Sequence, residues 1–137
     1  MITLFAPYAH TLAALALWAI LQLGLAGVST MGKARARSAG GLPVRDYSDP
    51  AYRRHRAFQN ATESSGAFVA AAVAAMAAGG DPFWVNLLAS AFVAARVAVA
   101  AVHIGTEIQW LRSLFWTVGL LCILALAGIA LAGAFAA

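Results

Sequence analysis

Three stretches of this chain, residues 5–30, 83–105 and 114–137, run for roughly twenty or more positions with almost no charge. A helix of about 20 residues crosses the ~30 Å hydrocarbon core of a bilayer. Hydrocarbon offers no partner to a backbone N–H or C=O, so a spanning segment must satisfy those groups internally, as a helix does. A soluble helix of this length would show a charged face, and these stretches show none. With 63% hydrophobic and 10% charged residues, the chain lies far from soluble usage. Its 137 residues amount to one domain. The expectation is an all-α integral membrane protein.

The first stretch reads poorly as a signal peptide. It has no positive n-region, and it is longer than the roughly 7–15 apolar residues of such a segment. The single cysteine, Cys122, lies inside the last apolar stretch, so no intrachain disulfide is expected and packing is its simplest role.

A fourth span follows from a length argument on "AFQNATESSGAFVAAAVAAMAA". Its purely apolar part, residues 66–78, gives only about 20 Å of helix. To cross, the helix must begin near Ala57, and this draws Asn60 and Glu63 below the membrane surface. The expected spans are 5–30, 57–79, 83–105 and 113–136, an up-down four-helix bundle with a loop at 31–56. That loop mixes Gly, Pro, Ser and charge. Seven of the nine Lys and Arg residues crowd residues 33–56, and Arg112 lies in the connection before the last span. The positive-inside rule then puts both basic connections in the cytoplasm and both termini outside. The net charge of +4 is accordingly a topology signal that favours anionic lipid head groups. Nucleic acid is not an expected partner, because the basic residues lack interleaved aromatics and a binding module. No metal site is expected.

The polar residues inside the spans form a pattern. Arg56, Asn60 and Glu63 stand at i, i+4 and i+7, within an arc of roughly 60° on one helix face. Ionisable groups at such depth are costly and should face protein or water. Arg96 lies in the third span at a depth similar to that of Glu63, and the two are expected to form an ion pair between helices. His103, seven residues after Arg96, shares its face. Arg112 precedes Ser113, a plausible helix N-cap. The second and fourth spans would both present N-termini, with their partial positive charge, to the cytoplasmic side. With Arg56 and Arg112 this makes an anion-attracting pocket between apolar helices.

These residues resemble a known family. Arg56-Ala57, Asn60 and Glu63 are similar to the R-A-x-x-N-x-x-E signature of the membrane-associated proteins in eicosanoid and glutathione metabolism, the MAPEG family. In "ARVAVAAVHIGTEIQWLRS", Arg96 and the pair Arg112-Ser113 match the family's third-helix arginine and its downstream arginine-serine. The resemblance covers nearly the whole chain and is compatible with a bacterial branch. It implies a homotrimer in a bacterial inner membrane, with glutathione as co-substrate bound between subunits near the cytoplasmic surface. Arg56, Asn60, Glu63 and His103 would bind glutathione. Arg112 would favour its thiolate, assisted by Ser113, for attack on a hydrophobic small molecule arriving from the lipid.

The chain departs from the family pattern at three positions. Ser64 stands where several members have tyrosine, Val99 where an aromatic or histidine is frequent, and His103 where a tyrosine is frequent. Ser64 and Val99 supply less aromatic contact, whereas His103 can still donate a hydrogen bond. Two functions therefore stand side by side. One is a glutathione-dependent membrane transferase or peroxidase; the other is a non-catalytic membrane protein of the same fold that binds lipid or a small molecule. A four-helix multidrug transporter fits less well, since its glutamate would fall in the first span, with short loops.

Overall fold

A computed structural model describes residues 2–136. A short helix, α1 (Ile2–Phe5), and a single 3-10 turn (Ala6–Tyr8) lead into α2 (Ala9–Ser29). Three long helices follow: α3 (Pro50–Ala77), α4 (Pro82–Gly105) and α5 (Gln109–Phe135). Among the described residues there is no strand, only an isolated bridge between Arg37 and Pro43 in the α2–α3 connection. Helices α3 and α4 form the centre of an up-down four-helix bundle, with α2 and α5 each packed against both. The residues from Ala6 to Ser29, together with α4 and α5, are long and apolar enough to cross a membrane. Helix α3 has the length without the composition, because the polar half that carries Arg56, Asn60 and Glu63 lowers its mean hydropathy.

Two helices start earlier than the sequence suggests. Helix α3 begins at Pro50, not near Ala57, because Asp49 caps it by accepting from the Ala51 N–H at 2.9 Å and Pro50 has no N–H to leave unsatisfied. Its 28 residues extend about 42 Å, so roughly two turns project beyond a ~30 Å core. Helix α5 begins at Gln109 with Ile108 at its N-cap, so Ser113 lies inside the helix and caps nothing. The cap position of α5 has no side-chain hydrogen bond, but the Thr106 hydroxyl accepts from the Ile108 N–H at 3.3 Å. The connection between α2 and α3 therefore narrows from the expected 31–56 to residues 30–49.

Polar groups inside the bundle are matched across helices. Pro7 interrupts the first span, and the side-chain amide of Asn86 on α4 enters the gap. Its Oδ1 accepts from the Thr11 N–H at 2.9 Å and its Nδ2 donates to the Pro7 carbonyl at 2.8 Å, bridging the place of one helical hydrogen bond. Trp18 Nε1 donates to Ser65 Oγ at 2.9 Å, and Ser65 in turn donates to Gln22 Oε1 at 2.8 Å. At the α3–α4 turn, Gly79 adopts φ +70, a left-handed value that favours glycine. Tyr8 donates to the Gly80 carbonyl at 2.6 Å, and Asp81 caps α4 through the Phe83 and Trp84 N–H groups.

The apolar centre is an aromatic cluster. Phe68 and Phe92 stack at 3.9 Å between centroids, and Trp18 meets both edge-on, at 6.1 and 5.1 Å. In a bilayer the lipid solvates an exposed phenyl ring, so the cluster is held by close packing more than by escape from water. Phe68→Ala should therefore cost mainly its cavity. At about 24 cal/mol per Å³ over a void of roughly 100 Å³, that is about 2–3 kcal/mol, readable as a lowered unfolding midpoint in mixed micelles.

Candidate functional site

At the α5 N-terminal end of the bundle, α3, α4, α5 and the α2–α3 connection enclose a cleft of about 590 Å³. Helix α3 contributes Arg56 and Asn60, α4 contributes His103, and α5 contributes Gln109, Arg112, Ser113, Trp116 and Thr117. The connection adds Arg45 and Tyr47. The volume falls in the ~300–1,000 Å³ range of small-molecule pockets. On α5, Arg112, Ser113, Trp116 and Thr117 follow helical spacing, so the lining continues from a cationic mouth along the apolar helix.

The structure brings together Arg56, Asn60, His103, Arg112 and Ser113 but does not add Glu63 to the lining. The expected ion pair between Glu63 and Arg96 is not formed. Glu63 instead accepts from Arg56 Nη1 at 2.9 Å along its own helix, with its side chain 59% exposed in the single chain. Arg96 is buried and its Nη1 donates to Asn60 Oδ1 at 2.8 Å. The reason lies in the helix faces. Asn60 turns inward toward α4, while Glu63 sits at the edge of the same arc and faces outward.

Arg96 lies between three helices. Its Cζ is 5.2 Å from the centroid of Phe92, and its Nε has no acceptor among the described residues. Gly119 on α5 makes the room, since a Cβ there would come within 3.1 Å of that Nε. The bond to Arg96 also orients Asn60. With Oδ1 committed to the guanidinium, the amide presents Nδ2 as the group free to donate. His103 Nδ1 lies 3.1 Å from the Val99 carbonyl, an acceptor that keeps a proton on Nδ1 and leaves Nε2 as the ring nitrogen free for a further partner.

Arg112 is 8% exposed, and its Nη1 is buried without a hydrogen-bond partner. Its guanidinium rests on the ring of Tyr47, 4.0 Å from the centroid. Among the described residues no carboxylate lies within ion-pair distance of it. Among the described residues, only α5 brings a helix N-terminus to the cleft, at Gln109. That of α3 stands at Pro50, about 9 Å along the helix from Arg56, so the expected pair of helix termini is reduced to one. Ser64 and Val99 are both buried and neither lines the cleft, so the departures at these positions remove no lining group from it.

The sequence reading missed Tyr47, Gln109, Trp116 and Thr117, and took Arg45 only as a loop charge. The last two were available from the spacing of Ser113 on a helix. Tyr47 carried no sequence signal, because its place depends on how the connection folds. Asp49 ties that connection down by accepting from the Arg35 N–H at 2.9 Å. The backbone N–H groups of Arg35 and Ala51 hold its carboxyl below the ordinary value of 3.8.

The sequence model of the MAPEG family matches residues 7–132. No curated protein and no solved structure matches the chain.

Two expected outcomes follow from the geometry. Asn60→Ala strips Arg96 of its side-chain acceptor and should destabilise the bundle by about 1.5–3 kcal/mol, whereas Asn60→Asp restores an acceptor and should cost less. Thermal unfolding in detergent distinguishes them. For Asp49 the folded value is depressed, so its contribution is complete above pH 3.8 and is lost as pH falls through the lower folded value. Hydrogen exchange across residues 30–49 should therefore accelerate, beyond the intrinsic pH effect, only below that pH in the natural chain, and already at neutral pH in Asp49→Ala.

Proposed function

Because this chain belongs to the MAPEG family, whose members include glutathione transferases and peroxidases, we propose that it is a glutathione-dependent membrane enzyme acting on hydrophobic electrophiles. The observation that carries this reading is Arg112. It is a buried guanidinium with an unpartnered Nη1 and no carboxylate neighbour among the described residues, on the wall of a tripeptide-sized cleft. Burying a cation without a counterion is unfavourable, and a bound anion relieves it.

Glutathione supplies two carboxylates, which suit the arginines at the mouth, Arg45 and Arg56. It also carries amide carbonyls that can accept from Asn60 Nδ2. Its thiol, with a free value near 8.5, is only a few per cent ionised at neutral pH. A guanidinium beside the sulfur, at the first turn of α5, stabilises the thiolate and not the thiol, and can lower that value by about one unit or more. Ser113 follows Arg112 and can donate a hydrogen bond to the same sulfur. The thiol proton leaves to solvent at the mouth. In transfer, the sulfur electron pair forms a bond to the electrophilic carbon as the leaving group departs with its own pair. In peroxide reduction, the sulfur takes the terminal oxygen as the O–O bond breaks, and the alkoxide leaves as the alcohol with a proton from solvent. A second glutathione thiol then attacks the sulfenic sulfur, yielding the disulfide and water.

The other substrate is apolar and comes from the bilayer, along the side where Trp116 and Thr117 extend the cleft down α5. The half-exposed Glu63, fixed to Arg56, faces a neighbouring copy in a homotrimer, so that each site lies between two protomers. The mouth faces the cytoplasm, where the basic connection meets anionic head groups, with both termini outside, in a bacterial inner membrane. A second reading is a membrane protein of the same fold that binds lipid or a small molecule without chemistry, for which the same cleft, continued along α5 by Trp116 and Thr117, would serve.

Glutathione added to the purified protein should produce ultraviolet thiolate absorbance, with a pH midpoint about one unit or more below that of free glutathione. Arg112→Ala should abolish the signal while glutathione still binds more weakly. Binding absent by calorimetry in the natural chain would overturn the enzyme reading and leave the binder.

A further inference from the structure

The contact between Tyr47 and Arg112 belongs to neither the helical scaffold nor the signature residues. Tyr47 lies on the α2–α3 connection, far in sequence from Arg112, and its ring covers one face of the guanidinium at 4.0 Å. The ring is itself held from two sides. Tyr52 on α3 meets it edge-on at 5.1 Å. Behind it, Arg53 Nη1 donates to the Tyr47 carbonyl at 2.8 Å, and Arg53 Nε donates to the Ile104 carbonyl at 3.3 Å. Arg53 Nη1 also reaches Glu107 Oε1 at 3.4 Å. One arginine thus fastens the connection to the end of α4, beside the loop that leads into α5. Asp49 secures the next residues of the connection to Arg35 and to the first turn of α3. The tyrosine ring is therefore a rigid part of the cleft mouth.

A guanidinium on four rotatable bonds has many rotamers, and no acceptor among the described residues selects one for Arg112 Nη1. The aromatic face supplies the missing selection. The cation is attracted to the ring without a hydrogen bond, so its N–H groups stay available for a ligand. A carboxylate in the same place would fix the arginine equally well but would neutralise it.

We propose that Tyr47 is a positioning residue for Arg112, whose ring holds the guanidinium in place while leaving its charge and donors free, so that the α2–α3 connection completes the cleft. What Arg112 then does to a thiol rests on the function proposed above. The positioning itself does not.

The test uses the full-length protein in detergent micelles and the arginine-selective reagent phenylglyoxal, with modification of the Arg112 peptide followed by mass spectrometry. Exposed Arg37 serves as the internal reference. Tyr47→Leu keeps apolar bulk and removes the π face. Arg112 should then react about tenfold faster, equivalent to about 1.4 kcal/mol, within the range of a partly desolvated cation–π contact. Tyr47→Phe should stay within about twofold of the natural chain, since phenyl retains the quadrupole. Should Tyr47→Leu not fold, Arg53→Gln loosens the connection with the ring in place and should also expose Arg112. Equal Arg112 reactivity in the natural chain and in a folded Tyr47→Leu or Arg53→Gln protein would overturn the proposal, as would Tyr47→Phe behaving like Tyr47→Leu.

A second arm follows the pH midpoint of glutathione thiolate formation, which should rise in Tyr47→Leu and return in Tyr47→Phe. A natural chain that forms no thiolate defeats the proposed enzyme activity, while the modification ratios still decide the role of Tyr47.

Discussion

A guanidinium sealed among apolar helices must find a polar acceptor on a neighbouring helix, because neither hydrocarbon nor an apolar side chain provides one. Arg96 finds Asn60. That bond joins α4 to α3 at the depth where both approach α5, and Gly119 lets α5 close over it. Three helices are brought into register by one polar contact in a medium where its loss is expensive. The bond has a second consequence at the cleft. It consumes the amide oxygen of Asn60 and so determines which half of that side chain a ligand can meet. Structure and recognition are therefore coupled through a single residue.

Elsewhere in the bundle the same rule is met with neutral groups. Asn86 fills the gap made by Pro7, Trp18 and Gln22 share Ser65, and Tyr8 ends on the Gly80 carbonyl. These contacts tie α2 to α3 and α4, and each of these donors has its acceptor. Polar groups that pack helices are paired in this way. Two buried donors lack a partner among the described residues: Arg96 Nε, enclosed by Phe92 and Gly119 within the packing, and Arg112 Nη1, on a residue that lines the cleft. A buried arginine without a counterion on the wall of a cleft concentrates binding capacity at that wall.

Much of this was legible in the residues. Three uncharged runs of spanning length marked three of the four long helices, and the length argument on the stretch around Gly66 marked the fourth, which carries Asn60 and Glu63. The spacing of Arg56, Asn60 and Glu63 put three groups on one helix face, of which Arg56 and Asn60 line the cleft with Arg112 and Ser113 while Glu63 does not. What failed was rotation and ends. Depth along a helix can be counted from sequence, but a shift of a few tens of degrees decides whether Arg96 meets Glu63 or Asn60, and depth alone does not carry that angle. The helix starts failed for a different reason. Asp49-Pro50 is a cap signal, but it lies in a loop-like composition that masked it. Tyr47 was invisible because its position depends on Arg53, Asp49 and Tyr52 acting together from three places in the chain.

The arginines around the cleft can be separated by what holds each of them. Arg96 is bonded to Asn60 and carries the packing. Arg56 is neutralised by Glu63, so its field on a ligand is reduced. Arg45 lies on an exposed stretch of the connection, where solvent screens it. Arg112 is both buried and unneutralised among the described residues, and its one aromatic neighbour leaves the charge intact. A cation in low dielectric acts on a neighbouring anion far more strongly than one in water. An arginine meant only to orient the chain in a membrane would gain by snorkelling to the surface. Under the function proposed above, Arg112 has to be kept from doing so, and the strap that carries Tyr47 would keep it.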